Sequence, residues 1–183
     1  MQNARGDVAT AISGHGEERL TIVPIPTPDW DDHRIRRVIV TGENATLVKA
    51  AESALAGLPL VDAEKQEHGY LIPAEYGAVF ASFLHPSRKW ISVTPVLMSG
   101  HDDHDKKKRT RLIEKMFLHA GLPAPKSASE VHGRVGEFKV GSKHGHDKCH
   151  RLNLAVEFDR EVAGVVNVGT GRFTGLGVFA NLG

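Results

Sequence analysis

Hydrophobic and polar positions alternate in several short runs and fall into helical period in two longer ones. Leu20 to Ile25 reads as a short strand. Pro24, Pro26 and Pro28 then confine it to an edge or a bend, and Asp29-Trp-Asp-Asp32 reads as a turn. From Arg34 to Thr41, Ile35, Val38 and Val40 are apolar while Arg34, Arg36 and Arg37 are basic, which predicts a second strand ended by Gly42. Asn44 then stands as an N-cap before Leu47, Ala51, Ala54, Leu55 and Leu58, the apolar face of a helix that stops by Pro59. Residues Leu60 to His68 read as loop and Gly69 to Ile72 as a brief strand. Ala78 to Leu84 is apolar but too short to separate helix from strand, and Lys89 to Met98 is a strand with Pro95 at an edge or bulge. Leu112, Ile113, Met116, Phe117 and Ala120 mark one face of a helix over about Asp105 to Ala120. Asp102 or Asp103 is its expected cap, Gly121 its left-handed C-cap, and Pro123 follows. Residues Ser129 to Val140 are extended and broken by glycine. Arg151 to Phe158 alternates cleanly, with Leu152, Leu154, Val156 and Phe158 on one side. Asp159-Arg-Glu161 is a turn into a valine-rich strand, Val162 to Val168, and Val178-Phe-Ala180 closes the chain's last strand.

This order of elements predicts an α+β fold of two ferredoxin-like (RRM-like) βαββαβ units in tandem, over residues 1–98 and 99–183, the second carrying a C-terminal glycine-rich loop. At 183 residues with 40% hydrophobic content, the chain has material for such a core, so wholesale disorder is excluded. The formal net charge of +1 gives no global basic field, so any nucleic-acid contact must come from local patches. The single cysteine, Cys149, rules out an internal disulfide and fits a reducing, cytoplasmic setting. No apolar run approaches the ~20 residues of a membrane span, and residues 1–10 lack the pattern of a secretory signal.

Two stretches carry candidate chemistry. The first is Gly169-Thr-Gly-Arg-Phe-Thr-Gly-Leu-Gly177, a glycine-rich loop between two strands. Gly169, Gly171, Gly175 and Gly177 permit positive φ, and bare amides in such a loop can form an anion-binding nest. Arg172 and Phe173 add a charge and a flat ring suited to a phosphate-bearing chain, and the other reading is a glycine-kinked hairpin that only turns the chain. The second is Lys106, Lys107, Lys108, Arg109 and Arg111, at the start of the predicted helix. There the macrodipole disfavours cations by roughly 0.3–1 kcal/mol each, so the cluster reads as phosphate-contacting, against a solvated charged face. His101-Asp102 and His104-Asp105 allow a metal reading, but capping by the aspartates accounts for them with fewer assumptions. His144, His146, Cys149 and His150 crowd together at a spacing unlike the usual paired zinc patterns, and a basic, RNA-facing or solvated loop accounts for them better. Among eleven histidines, His15 stands between two glycines, where an exposed ring can act as general acid or base.

The ending Val162-Ala-Gly-Val-Val-Asn-Val-Gly-Thr-Gly-Arg-Phe-Thr-Gly-Leu-Gly-Val-Phe179 resembles the glycine-rich C-terminal signature of the CRISPR repeat-cleaving endoribonucleases of the RAMP superfamily. Three further stretches are similar to one branch. They are Ser13-Gly-His15, Trp90-Ile-Ser-Val-Thr-Pro-Val-Leu97 with Gly100-His-Asp-Asp103, and the basic helix ending His119-Ala-Gly-Leu-Pro123. That branch is the C-terminal, repeat-cleaving half of the fused subunit of type I-U (also called I-G) systems, in which a handle-binding domain comes first. The resemblance implies binding of CRISPR repeat RNA (pre-crRNA) and one cut per repeat by metal-independent attack of the 2′-hydroxyl, leaving a 2′,3′-cyclic phosphate. It implies no cofactor, and as partners the RNA and other subunits of a type I effector complex. His15 fits the family's catalytic histidine, and His101 is the second candidate. Relatives carry more histidines where this chain has Glu17-Glu-Arg-Leu20, so the helper residue has no assignment. The alternative function is a non-catalytic subunit that holds the CRISPR RNA.

Overall fold

The computed structural model describes residues 8, 11, 19–25, 37–61, 64–74, 77–98, 100, 105–131 and 150–182. It is a mixed α+β structure with small antiparallel sheets and three described helices. The chain divides into two compact units, one of residues 1–22 and 39–76, the other of 23–38 and 77–183. The boundary expected at residue 98 falls inside the second unit, because strands on both sides of it pair with each other.

Strands β1 (Thr21–Ile25) and β2 (Arg37–Thr41) pair as a two-stranded sheet. In the first unit, helix α1 (Ala45–Leu55) is capped as its sequence predicts: the Asn44 side chain accepts from the amides of Thr46 and Leu47 at 2.9 and 3.1 Å. Its apolar face joins Val8, Ala11, Leu20 and Ala51 in a small core. The stretch expected to be loop contains instead an antiparallel hairpin, β3 (Pro59–Val61) with β4 (Glu67–Tyr70). Gly57, at φ 79°, turns the chain out of α1, and bonds between Gly57 and Leu71 (2.7 Å) and Leu71 and Leu58 (2.9 Å) continue the ladder.

In the second unit the ambiguous apolar run is helix α2 (Ala78–Leu84). The Asn181 side chain donates to the α2 carbonyl of Ala81 at 3.0 Å and to that of His85 at 3.3 Å, closing the helix end. The strand expected over Lys89 to Met98 is two pieces, β5 (Ser87–Ser92) and β6 (Val96–Leu97). Helix α3 (Lys106–His119) follows, then β7 (Ser127–Glu130). The cleanly alternating run is likewise divided, into β8 (Arg151–Leu152) and β9 (Leu154–Val162). Asp159, Arg160 and Glu161, read as a turn, are the exposed end of β9. The strand expected over Val162 to Val168 is absent after Val162 except for one bridge, Asn167 to Val178. Strand β10 (Phe179–Asn181) ends the order.

The main sheet runs β10-β5-β9-β7, every neighbour antiparallel. β5 and β7 are therefore parallel to each other, joined through α3, with β9 inserted between them. Ile113, Met116 and Phe117 of α3 are buried with Trp90 of β5, Val156 and Phe158 of β9 and Phe179 of β10. Phe117 sits at the centre, edge-on to Phe158 and Phe179 at centroid distances of 5.6 and 5.8 Å. Trp90 keeps its indole N–H satisfied on the Ser87 carbonyl at 3.0 Å. Among the described residues no helix is long and apolar enough to cross a membrane.

Candidate nucleic-acid interface

The two pieces of the 87–97 stretch exist because Pro95 cannot donate to a ladder, and side chains take over the pairing there. The Ser92 hydroxyl accepts from the Leu154 amide at 2.8 Å, and the Thr94 hydroxyl from the Val178 amide at 2.9 Å. Both residues are fully buried. Val93 donates back to the Val178 carbonyl at 2.8 Å, and Gly177 donates to the Pro95 carbonyl at 2.9 Å. Residues 92–97 thus grip the downstream side of the glycine-rich loop.

The loop itself lies on β6. Thr170 donates its amide to the Leu97 carbonyl at 3.1 Å. A side chain on Gly169, at φ 94°, would come within 2.6 Å of that same carbonyl oxygen. One on Gly171 would meet the Leu176 Cβ at 2.8 Å and the Leu97 Cδ1 at 3.1 Å. One on Gly177 would collide with the Val168 carbonyl. Gly169 and Gly177 are required for contact with the protein's own backbone, and Gly171 for contact with the Leu176 and Leu97 side chains. A short 3₁₀ turn, Arg172–Thr174, forms the crest and ends at Gly175 in the left-handed region.

The expectation of an amide nest is corrected at several positions. The amides of Arg172, Thr174 and Leu176 donate to carbonyls within the loop, those of Thr170 and Gly177 to β6 and Pro95. An amide already bonded inside the protein is not a donor for a bound phosphate. Of the loop's side chains, Thr170 and Thr174 are exposed, their hydroxyls donating to the Leu97 and Gly171 carbonyls at 3.4 and 2.9 Å, and Arg172 and Phe173 are half-buried. The Arg172 guanidinium carbon lies 4.5 Å from the Phe173 ring centroid, a cation–π pair that fixes both on the crest. From below, the buried Asn167 donates its side-chain amide to the Arg172 carbonyl at 3.0 Å. Its side-chain carbonyl oxygen is also buried and has no hydrogen-bond partner among the described residues.

The basic cluster on α3 divides in two. Lys106, Lys107, Lys108 and Arg111 are exposed. Arg109 is half-buried and forms an ion pair with Glu130 of β7, tying the helix to the sheet edge. The N-cap is Asp105, whose carboxylate accepts from Lys107 and Lys108 at 2.8 and 3.3 Å. It offsets the unfavourable placement of cations at this helix end. Asp102 and Asp103 lie outside the described residues.

Leu97 and Met98 join stretches that are far apart in the chain. Thr170 of the loop reaches Leu97 on one side, and Arg151 of β8 is its paired residue on the other. Met98 donates to the His150 carbonyl at 3.0 Å, and Gly100 to the Met98 carbonyl at 3.2 Å. The glycine loop, the His150–Arg151 strand start and the segment leading into α3 therefore meet at β6. Arg151, Thr170 and Thr174 were not among the sequence candidates. In the sequence Arg151 is only a position off the apolar side of an alternating strand. His15 and His101 lie outside the described residues, as do His104, His144, His146 and Cys149. Among the described residues no three histidine, cysteine or acidic side chains are grouped to hold a metal ion. No protein-family model matches the chain, and no curated protein or solved structure matches it.

Proposed function

We propose that this protein is an RNA-binding endoribonuclease that cuts CRISPR repeat RNA by attack of the ribose 2′-hydroxyl on the adjacent phosphate. The observation that carries the reading is the strand order β10-β5-β9-β7 built around β5-α3-β7. That order supports the reading of a ferredoxin-like unit, with the glycine-rich segment in place of the second helix. That segment carries an arginine and an aromatic ring on its crest, and its family likeness is to repeat-cleaving enzymes. A metal is not required by the chemistry, because the nucleophile is already part of the substrate. One group removes the 2′-hydroxyl proton and another protonates the departing 5′-oxygen, and a histidine serves either role. Cationic side chains stabilise the extra charge on phosphorus. His15 is the first candidate for the proton transfer and His101 the second.

The test is cleavage of a panel of labelled CRISPR repeat RNAs in EDTA, with wild type, His15→Ala and His101→Ala side by side. A substrate with 2′-deoxyribose at the cut site is the control. The expected result is a single cut by wild type, blocked by the 2′-deoxy group and lost in His15→Ala with binding kept within a few-fold. Loss only in His101→Ala moves the catalytic role to that residue. Tight binding without cutting overturns the nuclease reading in favour of a subunit that holds the RNA.

A further inference from the structure

We propose that Arg151 is a phosphate-contacting residue on the same face as Arg172, the two guanidiniums holding neighbouring phosphates of one RNA strand laid across the glycine-rich loop. This rests on the reading of that loop as RNA-facing. The geometry begins at β6 and β8. Arg151 and Leu97 are directly opposed in an antiparallel pair. Because Met98 donates to the His150 carbonyl, the alternation of the ladder makes Leu97–Arg151 the non-hydrogen-bonded pair, with Cα atoms about 4.5 Å apart. Opposed residues of such a pair project on one face. The face is identified by Leu97, whose Cδ1 packs against Gly171. Arg151 therefore leaves the sheet on the side where the glycine loop lies. Leu97 is fully buried beneath that loop while Arg151 is exposed beside it. The Leu97 carbonyl, turned away from β8, takes Thr170. Arg151 and the loop thus flank β6 at about two strand spacings, roughly 10 Å, within the span of two arginine side chains reaching toward one strand. A guanidinium binds phosphate through paired N–H groups, so both are suited to backbone contact without base choice.

The experiment is binding of labelled oligouridine RNA to the whole chain, followed by fluorescence anisotropy over a salt series. The variants are Arg151→Gln, Arg172→Gln, the double variant and Arg151→Lys, with unfolding midpoints measured for each. Each lost phosphate contact lowers the slope of log K against log salt by about 0.7 for a single strand. Arg151→Gln and Arg172→Gln are each expected to show that drop, the double variant about twice it, and Arg151→Lys a slope near wild type. Arg151→Lys guards against a folding artefact, since it keeps the stem and the charge. If the Arg172→Gln slope falls while Arg151→Gln keeps the wild-type slope, the Arg151 proposal is overturned and the loop reading stands. If wild type binds no RNA, or binds it without salt dependence, the loop reading fails and the proposal with it.

Discussion

Gly177 and Gly57 have similar positive φ, 70° and 79°, in different surroundings. Among the described residues Gly57 has no atom beyond its chain neighbours within 4 Å of where a Cβ would stand, whereas Gly177 has the Val168 carbonyl there. Gly57→Ala should therefore carry only the left-handed strain, about 1–2 kcal/mol. Gly177→Ala adds the displacement of Val168 and loss of the Val168–Gly177 bond, bringing the loss to roughly 3 kcal/mol or more. Chemical unfolding of the two variants checks this, and equal losses would mean that the loop does not approach Val168 closely. The same contrast explains why the glycine signature was visible while its purpose was not. A run of glycines announces positive φ or close approach, but not whether the neighbour is a ligand or the chain itself.

Among elements, the clamp of residues 92–97 on the loop turns on two hydroxyls. Thr94→Val leaves the Val178 amide buried without an acceptor and should destabilise by about 1–3 kcal/mol, with faster hydrogen exchange at Val178. Thr94→Ser keeps the oxygen and should recover most of the loss. Unchanged exchange at Val178 in Thr94→Val would show that the bond does not hold the loop. Helix α3 supplies a second comparison. Arg109 is engaged with Glu130 while Lys107 is exposed. Arg109→Gln should cost roughly 0.2–1 kcal/mol of stability and change the salt dependence of RNA binding less than Lys107→Gln does. A larger change for Arg109→Gln would place its guanidinium on the RNA in solution. The bounds and C-cap of α3 were legible because an amphipathic period and Gly121 are local signals. Its cap shifted to Asp105 because five aspartate and histidine positions in a row, His101 to Asp105, give several residues the same local fitness.

At the scale of the whole molecule, the second unit depends on the contact of α3 with the sheet. Phe117→Ala empties the space between Phe158 and Phe179 and should cost about 3–5 kcal/mol, read as a fall in the unfolding midpoint. Ile72, 79% exposed, should tolerate serine with little change. A small effect of Phe117→Ala would show that the core does not centre on this helix. RNA affinity should fall with salt in proportion to the number of phosphates contacted, since each contact releases condensed counterions.

The sequence by itself determined the elements whose signals are local: the Asn44 cap and α1, helix α3 with Gly121, and the buried face of Leu152, Leu154, Val156 and Phe158. It also determined that the chain is α+β. The tertiary structure alone decided that two continuous alternations each break and change partners, at Pro95 and at Asn153. The inward–outward period of two runs unchanged through such a break, so no local pattern records it. Likewise only the fold brings Leu97, Arg151 and Thr170 together. Their partnership is set by backbone hydrogen bonds from Met98 to His150 and from Thr170 to Leu97, between residues 52 and 73 positions apart, and a backbone carbonyl is the same in every sequence.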